Sequence, residues 1–165
     1  MGTRSTTTIH EDGKPLLTFY RQYDGYPTGH GQELVDFLKT IKMVNGIPVG
    51  TDEPMQMANG GGCLAAQMIV HFKTGITNYD YSKQRVKDSN GLLHPVVREG
   101  DHAGGIYIVP NEEAGHQAYH YDVFIKDRDE CTSANITISV KSQPHSSVEY
   151  ELDEYDGKQI EDDWG

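Results

Sequence analysis

The sequence predicts an α+β fold in which two helices pack on one face of an antiparallel sheet. Three observations favour this class. Residues 4–23 have the pattern of a β-hairpin, two central segments have helical periodicity, and strand-like segments resume at residue 105. Because strands and helices occupy separate parts of the chain instead of alternating, the sheet should be antiparallel, with its helices on one side.

The N-terminal hairpin is predicted from residues 4–10, which are rich in Thr, and residues 15–23, with an Asp-Gly turn between them. Side chains alternate between the two faces of a strand. One face of the second strand therefore carries Leu17, Phe19, Arg21 and Tyr23.

Two helices are predicted in the middle of the chain. The first runs from Gln32 to about Val44, where apolar residues recur at spacings of three and four. The second begins after Asn59, a residue type that caps helix N-termini, and ends near Lys73. Its apolar stripe, which should face the sheet, consists of Leu64, Met68, Ile69 and Phe72.

The C-terminal part of the chain is predicted to form an antiparallel meander. Its strands lie at 105–110, 118–127 and 135–141, and residues 147–155 add a short strand. Residues 76–103 are polar and lack periodicity, so they are predicted to form a long loop or insertion, as a lid or an arm. Residues 1–148 thus constitute one domain.

The charge of the chain is unevenly distributed. The net charge is −11, and residues 149–165 contain eight acidic residues and one Lys. Such a block repels itself, so we expect a disordered acidic tail that is mobile from about Asp156 onward. The negative sign argues against nonspecific binding to nucleic acids or anionic lipids.

No targeting or membrane segment is expected. Cys63 and Cys131 belong to no CxxC pair, which argues against a thiolate zinc site. The sequence has no apolar stretch of bilayer-spanning length and no signal-peptide pattern at its start. These features are typical of a soluble cytoplasmic protein with reduced thiols.

The common catalytic and nucleotide-fold motifs are absent: there is no P-loop, no GxSxG and no pair of HxT/HxS motifs. His116, His120 and Asp122 invite a metal interpretation, but scattered surface histidines explain them better. No metal and no cofactor are therefore predicted.

A glycine run at the start of the second helix is the first candidate site. It comprises Asn59, Gly60, Gly61 and Gly62, followed by Cys63. Glycines let backbone N–H groups approach a ligand closely, and a helix N-terminus favours anions, so a ligand phosphate could bind here. The alternative is a tight loop in which the helix crosses the sheet.

A polar and aromatic segment after the hairpin is the second candidate site. Tyr20, Tyr23 and Tyr26 could stack on a base, and Arg21, together with Arg4, could bind a phosphate. Side chains that could orient the ligand are those of Gln22, Asp24 and His30. The alternative is an internal ion pair between Arg21 and Asp24.

Several motifs resemble a family of small uncharacterised proteins from tailed phages. They are MGTRS at the start, YRQYDGYPTGHGQEL at 20–34, VNGI at 44–47, MANGGGCLAAQMIVHFK at 57–73 and GGIYIVP at 104–110. The family has no assigned activity. The resemblance implies an accessory protein in the host cytoplasm, where such proteins often act on the host, including by sequestering nucleotide messengers of antiviral signalling.

The leading functional hypothesis is a non-enzymatic protein that binds and sequesters a nucleotide-derived small molecule as an anti-defence sponge, with a homo-oligomer as one assembly that it could form. One alternative is an acidic inhibitor that uses residues 149–165 as a nucleic-acid mimic against a host defence factor. A second alternative is a small phosphoesterase or hydrolase with His30 and Asp24 as acid and base. A purely structural role is a further alternative.

Overall fold

The structure is a computed structural model, and it describes residues 2–46, 56–73, 79–80, 86–94, 96–97, 105–126 and 135–165. The long strands are β1 (Ser5–Glu11), β2 (Lys14–Arg21), β9 (Ile106–Val109), β10 (Tyr119–Lys126), β11 (Asn135–Ser142) and β12 (Val148–Glu151). The short strands are β3 (Lys42–Val44), β4 (Met57–Asn59), β5 (Tyr79–Asp80), β6 (Val86–Lys87), β7 (Leu93–His94) and β8 (Val96–Val97). The helices are α1 (Gln32–Lys39), α2 (Gly60–Phe72) and α3 (Gly157–Trp164), and a π-helical turn, Pro27–Gly31, precedes α1.

The six long strands form one mixed sheet in the order β12-β11-β10-β1-β2-β9. All neighbouring pairs are antiparallel except β1 and β10, which run parallel through the centre of the sheet. The predicted α+β class, the hairpin and the C-terminal strands are therefore confirmed. The parallel pair was not predicted. Strand β9 does not join the predicted meander but pairs with β2 at the edge of the sheet, and β10 lies beside β1.

The N-terminal hairpin closes through Asp12 and Gly13, which both have positive φ angles of 52° and 73°. A two-residue turn of this kind matches the right-handed twist of the flanking strands, which explains the Asp-Gly pair. The register places Thr7 opposite Phe19 and Ser5 opposite Arg21.

All three helices cover the same face of the sheet, which we call the helix face. The core beneath them contains Ile9 and Phe19 from the hairpin, Val123 from β10, and Leu34 and Leu64 from α1 and α2, all fully buried. The predicted packing of two helices on one face is therefore confirmed, and α3 adds a third. Helix α1 ends at Lys39, earlier than its sequence pattern predicts, because residues 42–44 form β3 beside β4.

The C-terminal acidic segment is ordered, which corrects the expectation of a disordered tail. Its acidic residues share α3 with Ile160, which is only 2% exposed, and Tyr155 just before the helix is buried as well. The Tyr155 hydroxyl donates a hydrogen bond to the carbonyl oxygen of Pro27 at 2.9 Å. Asp156 accepts hydrogen bonds from the backbone N–H groups of Lys158 and Gln159 and so caps the helix. This anchoring outweighs the repulsion between the acidic side chains, of which Asp162 and Asp163 are exposed.

The predicted long loop at 76–103 lies mainly outside the described residues. Its described parts include two short antiparallel pairs, β5 with β8 and β6 with β7. Among the described residues, no helix has both the length and the apolar character needed to cross a bilayer.

Candidate functional site

The face of the sheet opposite the helices, which we call the open face, carries a row of polar side chains from the central strands. Thr6 and Thr8 of β1, Thr18 of β2, and Thr137 and Ser139 of β11 are all buried on it. Their burial follows from position, since small polar side chains in the middle of a sheet are shielded by larger neighbours. This face therefore concentrates hydrogen-bonding groups where solvent access is low.

A continuous hydrogen-bond network crosses β1 and β10 on the open face. The carboxylate oxygen Oδ1 of Asp122 accepts from His10 Nε2 at 2.7 Å and from His120 Nε2 at 2.9 Å. His120 Nδ1 then accepts from the Thr6 hydroxyl at 2.8 Å, and the Thr6 oxygen accepts from the backbone N–H of Gly115 at 3.1 Å. This arrangement requires neutral His120 to carry its proton on Nε2, because the carboxylate can only accept.

Both imidazoles hold Asp122 in its ionised form. Partial burial acts to raise the pKa of Asp122, but hydrogen bonds from His120 and His10 outweigh it, so the pKa lies below its usual range. The His10 ring also stacks on Phe124 with 4.8 Å between centroids. The network is thus a fixed anionic centre with two imidazoles whose positions are set by packing.

An aromatic pair lies beside this network, toward the β9 edge. Tyr20 and Tyr107 are cross-strand partners, and their rings stack with 4.7 Å between centroids. Tyr20 is buried, whereas Tyr107 is 50% exposed, so one ring of the stack is open to a ligand. The Tyr20 hydroxyl also donates to the Gln22 side chain on the same face. Arg4 is exposed, and its charge counteracts the burial that raises the pKa of Tyr20.

Arg21, by contrast, lies on the helix face and connects β2 to α1. Its guanidinium pairs with the Glu33 carboxylate, donates to His30 Nδ1 at 3.1 Å and donates from Nε to the Tyr23 carbonyl oxygen at 2.6 Å. The alternative that the sequence suggested, an ion pair between Arg21 and Asp24, is not found among the described residues. Arg21 pairs instead with Glu33 of α1.

His30 is fully buried in the core, so it does not fit the acid-base role of the hydrolase alternative. Its ring packs edge-on against Phe19, Phe72 and Tyr121, and its Nε2 donates to the Thr7 hydroxyl at 2.7 Å. Burial, and then the nearby positive charge of Arg21, lower the pKa of His30 well below its usual value. A neutral histidine held in this way stabilises the junction between the sheet and α1.

The structure favours the packing interpretation of the glycine run over the phosphate interpretation. The backbone N–H of Gly61 donates to the Glu11 carboxylate at 3.1 Å, so an anion from the chain itself lies at the N-terminus of α2. A Cβ at Gly61 would lie 2.6 Å from both Glu11 Oε2 and Leu16 Cδ1, whereas one at Gly62 would meet nothing within 4 Å. Gly60 has a φ of +79°, a conformation that favours glycine.

Asn59 does not cap α2 with its side chain as predicted. Its side-chain oxygen accepts from the backbone N–H of Gly46 at 2.9 Å, which ties the loop after β3 to β4. The sequence therefore predicts correctly that α2 begins after Asn59. It does not predict that the Asn59 side chain binds the loop after β3 and leaves the helix uncapped.

The structure divides the predicted site residues among separate places. Arg21 lies opposite Ser5 at the start of β1, and Gly61 contacts Glu11 at its end. Six residues of strand separate these positions by about 20 Å. Tyr23 is exposed, and the Tyr26 hydroxyl donates to Asp24 at 3.3 Å near α3. Of the twelve predicted residues, three lie at the open-face site: Arg4, Tyr20 and Gln22.

The sequence analysis did not identify His10 and Tyr107 as site residues. It considered His120 and Asp122 only as ligands of a metal ion. Because His120 and Asp122 stand at i, i+2 in a strand, alternation places them on one face. No pattern indicates that β1 lies beside β10, and only that pairing brings His10 to the same carboxylate. His116, the third residue of that interpretation, instead lies 3.6 Å from Glu113.

Within the described parts of the chain, no group of three or more His, Cys, Asp or Glu side chains is arranged to hold a metal ion. No family model matches the chain, and neither a curated protein nor a solved structure matches it. The resemblance to phage proteins stays a prediction from the sequence motifs.

Proposed function

We propose that this chain is a non-enzymatic binding protein that takes up a nucleotide-derived small molecule on the open face of its sheet. In the setting that the sequence motifs imply, it is a phage accessory protein in the host cytoplasm that sequesters an antiviral messenger. One observation carries the proposal: the half-exposed Tyr107 ring stacks on Tyr20, and the charge of Arg4 acts on the Tyr20 hydroxyl.

The chemistry of these groups matches the two parts of such a ligand. An exposed tyrosine ring backed by a second ring offers a stacking surface for a base. The guanidinium of the exposed Arg4 offers N–H donors for phosphate oxygens. The proposal therefore moves the ligand from the glycine run, where Glu11 is already present, to the opposite face of the sheet.

Equilibrium titration with a panel of linear and cyclic nucleotides tests the proposal. We expect Tyr107→Leu to weaken binding by about 1–3 kcal/mol, the value of one base stacked on an aromatic ring. Arg4→Gln should weaken binding of phosphorylated ligands by about 1.5–3 kcal/mol, the value of a hydrogen bond to a charged group.

Two variants away from the open face serve as matched controls for Arg4→Gln and Tyr107→Leu. Arg21→Lys alters a guanidinium that pairs with Glu33, and Tyr23→Leu removes another exposed ring. Both variants should bind like the original chain. Equal losses in all four variants, or none in Tyr107→Leu and Arg4→Gln, contradict an open-face site.

A phosphoesterase is the second candidate, and a different observation favours it. The chain of hydrogen bonds from Thr6 through His120 to Asp122 is typical of groups that accept or deliver a proton. Heat denaturation of the loaded protein followed by chromatography separates the two functions, since a sequestering protein returns its ligand unchanged and an enzyme returns product.

A further inference from the structure

A separate cleft of about 390 Å³ opens on the helix side of the sheet. Its wall includes three aromatic side chains from distant parts of the chain: Tyr26 of the loop before the π-helical turn, Tyr119 of β10 and Trp164 of α3. The volume lies near the lower end of the range for ligand pockets, which fits a small ligand or a single side chain.

A carboxylate with a fixed orientation also lines this aromatic cleft. Glu161 Oε1 accepts from the backbone N–H of Thr28 at 2.8 Å and from the Thr28 hydroxyl at 2.8 Å. Both bonds go to the same oxygen, so Oε2 has no hydrogen-bond partner among the described residues. Among the described residues that line the cleft there is no Lys or Arg, and His145 is the one side chain that can become a cation.

The rings of the cleft have the electronic character that attracts cations. The Trp164 ring is held by parallel stacking on His145, with 5.1 Å between centroids and 4° between planes. The pKa of Tyr26 is raised, first by Asp24, and the pKa of Tyr119 is raised, first by burial and then by Glu161. The cleft is thus lined by neutral phenols in a negative field.

From the three rings and the Glu161 carboxylate around one cleft, we infer a binding site for an organic ammonium cation, either free or at the end of an alkylated lysine side chain. A cation over aromatic faces is attracted by the ring quadrupoles, and the carboxylate adds direct charge attraction. This site is distinct from the proposed nucleotide site, because Tyr119 and α3 belong to the helix face.

Tryptophan fluorescence reports on this cleft directly, because Trp164 is the only tryptophan of the chain. We expect choline to change the emission with saturation at millimolar concentration. The uncharged analogue 3,3-dimethylbutan-1-ol, of nearly the same shape, should not saturate the signal in that range. A parallel titration with a trimethyl-lysine peptide tells the sources apart, since tighter binding than choline indicates a protein partner and weaker binding a free cation.

Two variants test the assignment to these residues. Glu161→Gln keeps an oxygen acceptor for Thr28 and removes the charge, and Tyr26→Leu removes one ring. We expect each to weaken choline binding about threefold to tenfold, the range of one cation–π or ion-pair contact. The matched controls, Glu151→Gln on exposed β12 and Tyr23→Leu, should leave it unchanged.

Thermal unfolding checks that each variant is folded. If Tyr26→Leu does not fold, the choline affinity of Glu161→Gln alone decides the test. The inference is overturned if choline causes no saturable change in Trp164 emission. It is equally overturned if the uncharged analogue binds as tightly as choline, or if Glu161→Gln binds choline like the original chain.

Discussion

The Glu11 carboxylate accepts a hydrogen bond from the backbone N–H of Gly61, at 3.1 Å, where α2 begins. The two residues are 50 positions apart in the chain, and their contact fixes the N-terminus of the helix over the end of β1. The positive end of the helix is therefore neutralised by an internal anion. A side chain at position 61 would displace the ends of the Glu11 and Leu16 side chains, which lie 2.6 Å from a Cβ built there.

Gly61→Val should destabilise the fold without a specific effect on ligand affinity. An added Cβ would lie 2.6 Å from the ends of the Glu11 and Leu16 side chains, so the Glu11 carboxylate must leave the Gly61 N–H, and a hydrogen bond to a charged group is worth about 1.5–3 kcal/mol. Gly62→Val is the matched control, because a Cβ there has open space, and it should change stability by less than about 0.5 kcal/mol. Urea unfolding of both variants measures the difference, and equal stabilities contradict the packing role.

The buried His30 should make the protein less stable as the pH falls below neutrality. Its pKa is lower in the folded chain than in the unfolded chain, so the unfolded state takes up a proton first and stability is lost with acidification. The loss of stability should begin near the ordinary histidine pKa of about 6.5 and continue as the pH falls toward the lower folded pKa. His30→Gln should remove that part of the slope in denaturant unfolding. Parallel pH profiles for the two proteins would show that His30 takes up its proton at the same pH in the folded and unfolded chains, which contradicts the prediction.

Asp122→Asn should weaken the fold most at neutral pH. The folded pKa of Asp122 lies below its unfolded value, so the ionised form stabilises the fold above about pH 4, and this contribution is lost as the pH falls through the folded pKa. Loss of the charged acceptor for two imidazoles should cost about 1.5–3 kcal/mol. Asp36→Asn, at an exposed carboxylate on α1, is the control. A deficit that persists unchanged in acid is inconsistent with the ionised network.

Ile160 should anchor the C-terminal helix to the core. Ile160→Ala removes a side chain that is 2% exposed and should cost about 2–5 kcal/mol, whereas the exposed Gln159→Ala should cost little. Hydrogen exchange supplies a second readout, since residues 157–163 should be protected in the original chain and lose protection in Ile160→Ala. Rapid exchange across this segment in the original chain would restore the expectation of a mobile tail.

The sequence predicts the features that depend on local pattern. Alternation places Phe19 and Arg21 on one face, and the Asp-Gly pair predicts the hairpin turn. The partner of Arg21 is not predictable in this way, because Glu33 reaches it only once α1 packs across β2. The network around Asp122 likewise depends on the parallel β1–β10 pair, whose residues are more than a hundred positions apart.

The sequence of the C-terminal helix contains a capping residue and an apolar stripe that its net charge does not reveal. Asp156 is a residue type that caps helices, and Ile160 and Trp164 follow at spacings of four, so one apolar stripe exists among the acidic residues. Charge density alone predicts disorder because it averages over both faces of the helix. The position of α3 beside Pro27 depends on the tertiary contact of Tyr155 and has no local signature.

The central claim is that the open face binds the ligand and the helix face does not. Nuclear magnetic resonance of the imidazole Cε1–H signals tests it most directly, because His10 and His120 lie on the open face and the buried His30 serves as an internal reference on the other. Addition of the tightest-binding nucleotide should shift the His10 and His120 signals with saturation and leave the His30 signal in place. Shifts confined to His30 or to the backbone amides of Gly60, Gly61 and Gly62 would contradict the account.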